Sequence, residues 1–214
     1  MTFVMRFVAA LLLASAVLGA RAETPAPLRI QFDPNTPHMQ VMRKLAWAEA
    51  EFGVAGVQWV AQDQAADVVV ASGAEAVAQR AAGVPVKAVF VLARNAGAYE
   101  LLIVRESLIA KRPDAIEKIV SLHEKARKWL LAHSEDAASL LATGRGLSVA
   151  DAARELARHD LSVSRPGPAL SAALKRDFDT VHAGAVDALL FDQPLRAATR
   201  RLEQVALLPG TRVD

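Results

Sequence analysis

The chain has 214 residues, 53% of them hydrophobic, with 25 lysines and arginines against 23 acids. It has no cysteine, which excludes disulfides, thiolate metal sites and a lipid-modified N-terminal cysteine. The charges of both signs are interspersed, which argues against a nucleic-acid partner.

Met1 to Arg6 carries one positive charge, Phe7 to Leu18 is an unbroken run of apolar and small residues, and Ala20-Arg21-Ala22 has the small-x-small pattern of a signal-peptidase site. The expectation is a leader over 1–22, cleaved after Ala22, and one domain over 23–214. The apolar run is shorter than the roughly 20 residues that a spanning helix needs, and no later stretch is long enough either, so no stable membrane insertion is expected. Arg6 and Arg21 leave with the leader and no acid does, so the remainder carries 23 charges of each sign. The expected location is periplasmic or secreted.

Leu28 to Phe32 alternates like a strand and stops at Asp33-Pro34. Thr36 before Pro37 predicts a helix start, with a hydroxyl cap and proline at the first helical position. That helix is expected to continue through Ala50, with Gly53 placed to end it. Val57 to Val60 reads as a second strand, and Val68-Val69-Val70 as a strand covered on both faces. Ser72-Gly73 breaks that strand, and a helix is predicted over 74–82. Val86 to Leu92 and Tyr99 to Val104 are two further strands. Strands alternating with helices imply a parallel or mixed sheet between helical layers.

From Pro113 onward the pattern is helical. Ile116, Ile119, Val120, His123 and Leu130 recur at helical spacing. Further helices are predicted over 135–142, 148–159, 169–182 and 187–202, the last interrupted near Pro194. The fold class is therefore α/β with a helical C-terminal half.

Three patches, in this order, resemble the nitrate/sulfonate/taurine group of ABC-transporter solute-binding proteins. The first is Pro34-Asn35-Thr36-Pro37-His38 directly after the first strand. The second is Val68 to Ala74, where the strand ends in a glycine turn; the group's customary proline after that turn is replaced by Glu75. The third is Lys111 to Asp114 followed by Trp129 to Ala138, where Ser134 stands for a usual proline. The resemblance covers most of Leu28 to about Leu190 in patches. It implies a three-layer, type II periplasmic-binding-protein-like fold and a role in uptake of a small anion or polar ligand. Members of the group are two-lobed. Here Phe90 to Arg105 passes from one strand through a short loop into the next, leaving no room for the second lobe. Gln62 to Ala66 likewise replaces a longer loop and helix. The chain resembles one lobe of such a protein.

Ligands of open α/β sheets gather at the carboxyl ends of strands. Asn35 and Thr36 lie at one such end, with His38 in the following turn; Ser72, Gly73 and Ala74 lie at another. Both turns precede helix N-termini, whose N–H groups and dipole attract anions, and Gly73 would let backbone approach an oxyanion closely. The alternative is that Thr36 is only a cap, Ser72-Gly73 only a turn and His38 an exposed first-turn residue. His123 sits on an apolar stripe and reads as a core histidine. Asp179 and His182 are spaced to face together, as surface pairs often are.

Neither a Gly-x-Ser-x-Gly elbow nor an HExxH spacing is present, and a cysteine nucleophile is impossible. The expectation is a binding protein without enzymatic activity, cofactor or metal. Its expected partners are the small ligand and an ABC transporter permease or second protein covering the rim. The alternative function is a protein–protein interaction module derived from such a lobe, which an apolar surface near Phe90 to Tyr99 would favour.

Overall fold

The computed structural model describes residues 26–95, 97–162, 166–177 and 183–190. The expected leader, the Asp179–His182 pair and the helix expected beyond Leu190 lie outside the described residues.

The first strand, β1 (Leu28–Gln31), leads into α1 (Pro37–Lys44). The expected single helix is in fact two. Ala46 takes a left-handed conformation (φ 50°) and separates α1 from α2 (Trp47–Phe52), which brings Ala48 into the core. Gly53, at φ 79°, ends α2 as expected, in a conformation that glycine adopts without steric cost. After β2 (Val57–Val60) and β3 (Val68–Ser72) comes α3 (Gly73–Ala81). Here Glu75, in the place of the group's customary proline, closes a capping box. Its carboxylate accepts from Ser72 N (2.9 Å), while Glu75 N donates to Ser72 Oγ (3.2 Å).

Strands β4 (Val86–Asn95) and β5 (Ala98–Arg105) form an antiparallel hairpin whose turn includes Gly97 at φ 90°. The sheet order is β2-β1-β3-β5-β4, with β1 parallel to both β2 and β3, and β5 antiparallel to both β3 and β4. The sheet is therefore mixed, and β4 passes to β5 with nothing inserted between them but a tight turn. Register shifts between Ala88 and Phe90 and between Val91 and Ala93 mark two irregularities in β4. They let the consecutive residues Val89 and Phe90 both face one core.

Among the described residues six helices follow: α4 (Glu106–Lys111), α5 (Pro113–Ala132), α6 (Ser134–Arg145), α7 (Val149–Leu156), α8 (Pro168–Asp177) and α9 (Ala183–Leu189). Alternation along the strands then sorts the helices into two layers. Leu28, Ile30, Val68, Leu102 and Val104 point toward α1, α5, α6 and α7. Ala71, Val86, Val91, Leu101 and Ile103 point toward α3, α8 and α9. The result is three layers, helices on both faces of one sheet, as expected from the sequence. Because β3 and β5 are buried on both faces, they read as near-continuous apolar runs. No helix among the described residues is long and apolar enough to cross a membrane.

Candidate functional site

Because β1 and β3 are parallel neighbours, their carboxyl ends open on the same edge of the sheet. Asn35 and Thr36 therefore lie on the same rim as Ser72, Gly73 and Ala74. In the first turn, Asn35 is exposed while its N–H donates to Asp33 Oδ1 (2.8 Å). Thr36 occupies the N-cap position, but its hydroxyl makes no capping bond; it lies 3.5 Å from Asp33 Oδ2 and is buried. In the second turn, the Ser72 hydroxyl is committed to Glu75, Gly73 is buried and Ala74 is exposed.

Leu174 of α8 covers Gly73. A Cβ at this position would lie 2.7 Å from Leu174 Cδ2 and 3.8 Å from the Tyr99 carbonyl oxygen. The missing side chain is what allows α8 to seat Leu174 on the turn. Gly73→Val is accordingly expected to displace the buried Leu174 side chain and cost about 1–3 kcal/mol, as overpacking does. Urea unfolding measures the loss, and faster amide exchange at Leu170 to Leu174 locates it.

His38 corrects the expectation of an exposed first-turn residue: it is 1% exposed. It turns inward toward His123 of α5, which is 0% exposed, with the two ring centroids 5.9 Å apart. Phe90 of β4 closes the other side, 6.1 Å from the His123 centroid. His38 Nε2 and both nitrogens of His123 are buried without a hydrogen-bond partner. Burial holds the His123 pKa at about 3. Burial also holds His38 well below the ordinary histidine value, with His123, His159 and Arg127 adding positive-charge repulsion. Both rings are neutral at pH 7.

A third histidine stands on the other side, near the second turn. His159, just beyond α7, directs Nδ1 at the Glu155 carbonyl oxygen (3.1 Å) and Nε2 at Glu100 Oε1 (3.7 Å). Both neighbours can only accept, so the doubly protonated ring suits them best. Glu100, and secondarily the Glu155 carbonyl, raise the His159 pKa against the opposing effect of burial. Glu100 is the residue paired with Ser72 across β3 and β5, so this ion pair stands directly beside the second turn. Its other oxygen, Oε2, is buried without a partner. Among the described residues no three histidine, aspartate or glutamate side chains are grouped as a metal site. The sequence marked His38 and His123 singly. Their meeting required the packing of α1 against α5, and the His159–Glu100 pair that of β5 and the segment after α7, which no local spacing encodes.

That segment also covers the end of the hairpin. Asp160 exchanges backbone hydrogen bonds with Arg94 (3.0 and 2.8 Å) and forms an ion pair with its guanidinium (3.0 Å). Phe90, Val91, Leu92 and Ala93 are buried, so they form no exposed apolar surface. A separate concavity of about 260 Å³ lies on the opposite face of the sheet, toward the amino end of β3, walled by Gln31, Gln62, Gln64 and Gln79.

A scan of protein-family models finds no match to the chain, and a search of curated proteins finds none. Among solved structures the fold is similar to the alkanesulfonate-binding protein SsuA from Xanthomonas axonopodis pv. citri, bound there to MOPS. That match has 12% identity over 73% of this chain and 92% of that chain, with a TM-score of 0.60. It is also similar to the periplasmic aliphatic sulphonate-binding protein SsuA from Escherichia coli (11% identity, 87% and 90% covered, TM-score 0.62). A third similar structure is a Candida albicans protein described as having the generic periplasmic binding protein fold (6% identity, 79% and 96% covered, TM-score 0.59). At these identities the likeness is one of fold: the mixed five-stranded sheet and its helices form a periplasmic-binding-protein fold.

Proposed function

We propose that this chain is an extracytoplasmic solute-binding protein, or a one-lobe derivative of one, which holds a small anion such as a sulfonate or nitrate for an ABC-type uptake system. The observation that carries this reading is the placement of two strand-to-helix turns side by side on one sheet edge. Asn35 N, Ser72 N and Glu75 N are bonded within the turns, so the N–H groups and dipole offered to negative charge are chiefly those of the α1 N-terminus, where the Thr36 hydroxyl makes no capping bond. The likeness in fold to two sulfonate-binding proteins agrees with it, as does the absence of a nucleophile–base arrangement in the sequence. A permease or second protein covering the rim would complete the enclosure that a single sheet lacks.

Thermal unfolding of the chain from Glu23 onward, with nitrate, taurine and alkanesulfonates in turn, tests the proposal. A ligand that binds only the folded state raises the midpoint in a saturable way. Ala74→Glu is the matched variant. A carboxylate in the first turn of a helix is favourable for the helix, so the variant is expected to fold while repelling an anion from the rim. A saturable rise in the parent that is lost in Ala74→Glu is the expected result. No rise with any of these anions, in folded protein, would sink free-standing anion binding and leave the interaction module as the better reading.

A further inference from the structure

The connection from β2 to β3 carries no helix. A parallel crossover usually takes a dozen residues or more and a helix; here residues 61–67 make it with turns and bends. They suffice because β3 begins level with the carboxyl end of β1, where Ile30 pairs with Val68. With no helix in that connection, the sheet face beside α3 keeps a hollow, the concavity of about 260 Å³ described above. Its floor is apolar: Val69 of β3, Ile103 of β5 and Val86 of β4.

The wall formed by residues 62–67 is pinned from two strands. Gln31 Nε2 of β1 donates to the Gln62 carbonyl oxygen (2.9 Å), and Arg105 Nε of β5 donates to the Ala66 carbonyl oxygen (2.9 Å). Arg29 N donates to Asp67 Oδ2 (3.0 Å), and Asp67 N donates to the Arg29 carbonyl oxygen (2.8 Å). The hollow is therefore preformed, so filling it costs little ordering of the chain. These ties also leave hydrogen-bonding groups over. Gln31 Oε1 is buried without a partner. Among the described residues Asp67 Oδ1 and the Arg105 Nη groups have none either, and the two side chains form no ion pair with each other.

We propose that this hollow is a second binding site, which takes a free α-amino acid with an uncharged polar side chain.

The charges select the class. One carboxylate and one guanidinium line the hollow, so a lone anion drawn to Arg105 would also meet Asp67. A zwitterion satisfies both. Its carboxylate suits the planar fork of Arg105, which forms paired bonds to such a group. Its ammonium carries donors only, and the acceptors that lack a donor are Asp67 Oδ1 and Gln31 Oε1. The amides of Gln62, Gln64 and Gln79 supply donors and acceptors for a polar side chain, while the apolar floor takes its methylenes. The volume lies below the roughly 300–1,000 Å³ of sites for drug-sized ligands, which suits one amino acid and not a peptide. Asp67 stands at the amino end of β3, and Ser72 to Ala74 lie at the other. The site is thus separate from the rim and does not rest on the rim binding an anion.

Isothermal titration calorimetry of the folded chain with L-glutamine as the probe tests the site, with chemical shifts to locate it. The expected result is saturable one-to-one binding, with shifts at the Val69, Val86 and Ile103 methyls and the Gln31 and Gln79 side-chain amides. Glutaminamide lacks the carboxylate and N-acetylglutamine lacks the ammonium. Each should bind at least about 10-fold more weakly, the factor expected from one charge-assisted hydrogen bond. Two variants probe the site from different sides. The Gln79 side chain makes no hydrogen bond among the described residues, so Gln79→Trp fills the hollow from α3 without cutting the ties of the loop. Arg105→Gln keeps a donor for the Ala66 carbonyl oxygen but removes the charge. Both should lose at least about 10-fold in affinity for L-glutamine, whereas Ala74→Glu on the rim should bind it as the parent does. Neither saturable heat nor a chemical-shift change with L-glutamine would overturn the proposal. So would unchanged affinity in Gln79→Trp or Arg105→Gln, or equal affinity for the two blocked amino acids. Loss of binding in Ala74→Glu would also overturn it, by placing the amino acid at the rim.

Discussion

Replacing His123 by leucine is expected to raise the melting temperature at neutral pH, and the advantage should widen steadily as the pH falls below about 6.5. The ring is 0% exposed and both its nitrogens lack partners. A buried polar group without a partner costs about 1–3 kcal/mol, and a leucine of similar volume removes the cost without opening a large cavity. The acid side adds a second effect. The folded chain holds His123 at a pKa of about 3, against an ordinary value of 6.5. Between those values the unfolded state binds a proton that the folded state does not, so the parent loses about 1.4 kcal/mol per pH unit from this residue. Its contribution is thus fully present above the ordinary histidine pKa and is lost progressively on acidification. About two pH units below that value, the leucine variant should lead by a further 3 kcal/mol or so. Thermal scans at several pH values measure both parts. Parallel pH profiles for the two proteins would show that His123 is not a buried neutral ring.

Arg127→Met is expected to cost about 3 kcal/mol, while the double change Glu124→Leu, Arg127→Met should cost far less. The two residues sit three apart on α5, with side chains only 16% and 12% exposed. Arg127 grips both carboxylate oxygens of Glu124, and the pairing raises its own pKa. Losing one member of a nearly buried pair strands the other's charge, which costs about 3–5 kcal/mol, whereas replacing both by apolar groups is often neutral. The lower figure applies because Lys128 Nζ remains 4.0 Å from Glu124, at the solvent side. The single variant also frees the Leu161 carbonyl oxygen. Urea unfolding of the two single variants and the double gives the coupling energy directly. Additive losses would show that the pair contributes nothing as a pair.

These two effects sit on residues of very different legibility. The sequence identified His123 as a core histidine from its place on an apolar stripe, because helical periodicity is a local property of α5. It said nothing comparable of His38, whose position next to Pro37 suggests a solvent-facing first turn. The inward turn of that ring is set by α1 lying across α5. Gly73 was similarly readable as a turn glycine, but not as the socket for Leu174, because the two residues lie about a hundred positions apart. Glu75, a departure from the expected proline, carries its own explanation within four residues as half of a capping box. The break at Ala46 had no such signal, since alanine is neither a usual helix terminator nor a usual left-handed residue.

What the sequence by itself determined is the order of the strands, most of the helices and the short passage from β4 to β5; it left the sheet parallel or mixed, which the antiparallel pairing of β5 settles. Hydrophobic period, glycine turns and caps act over a few residues, so they are written where they act. What only the tertiary structure decided is the composition of the rim. It turned His38 of α1 onto His123 of α5, set the His159–Glu100 pair beside Ser72, and laid α8 over Gly73. Those contacts come from sheet order and helix packing, in which side chains far apart in the chain are brought together by burial of the apolar faces around them.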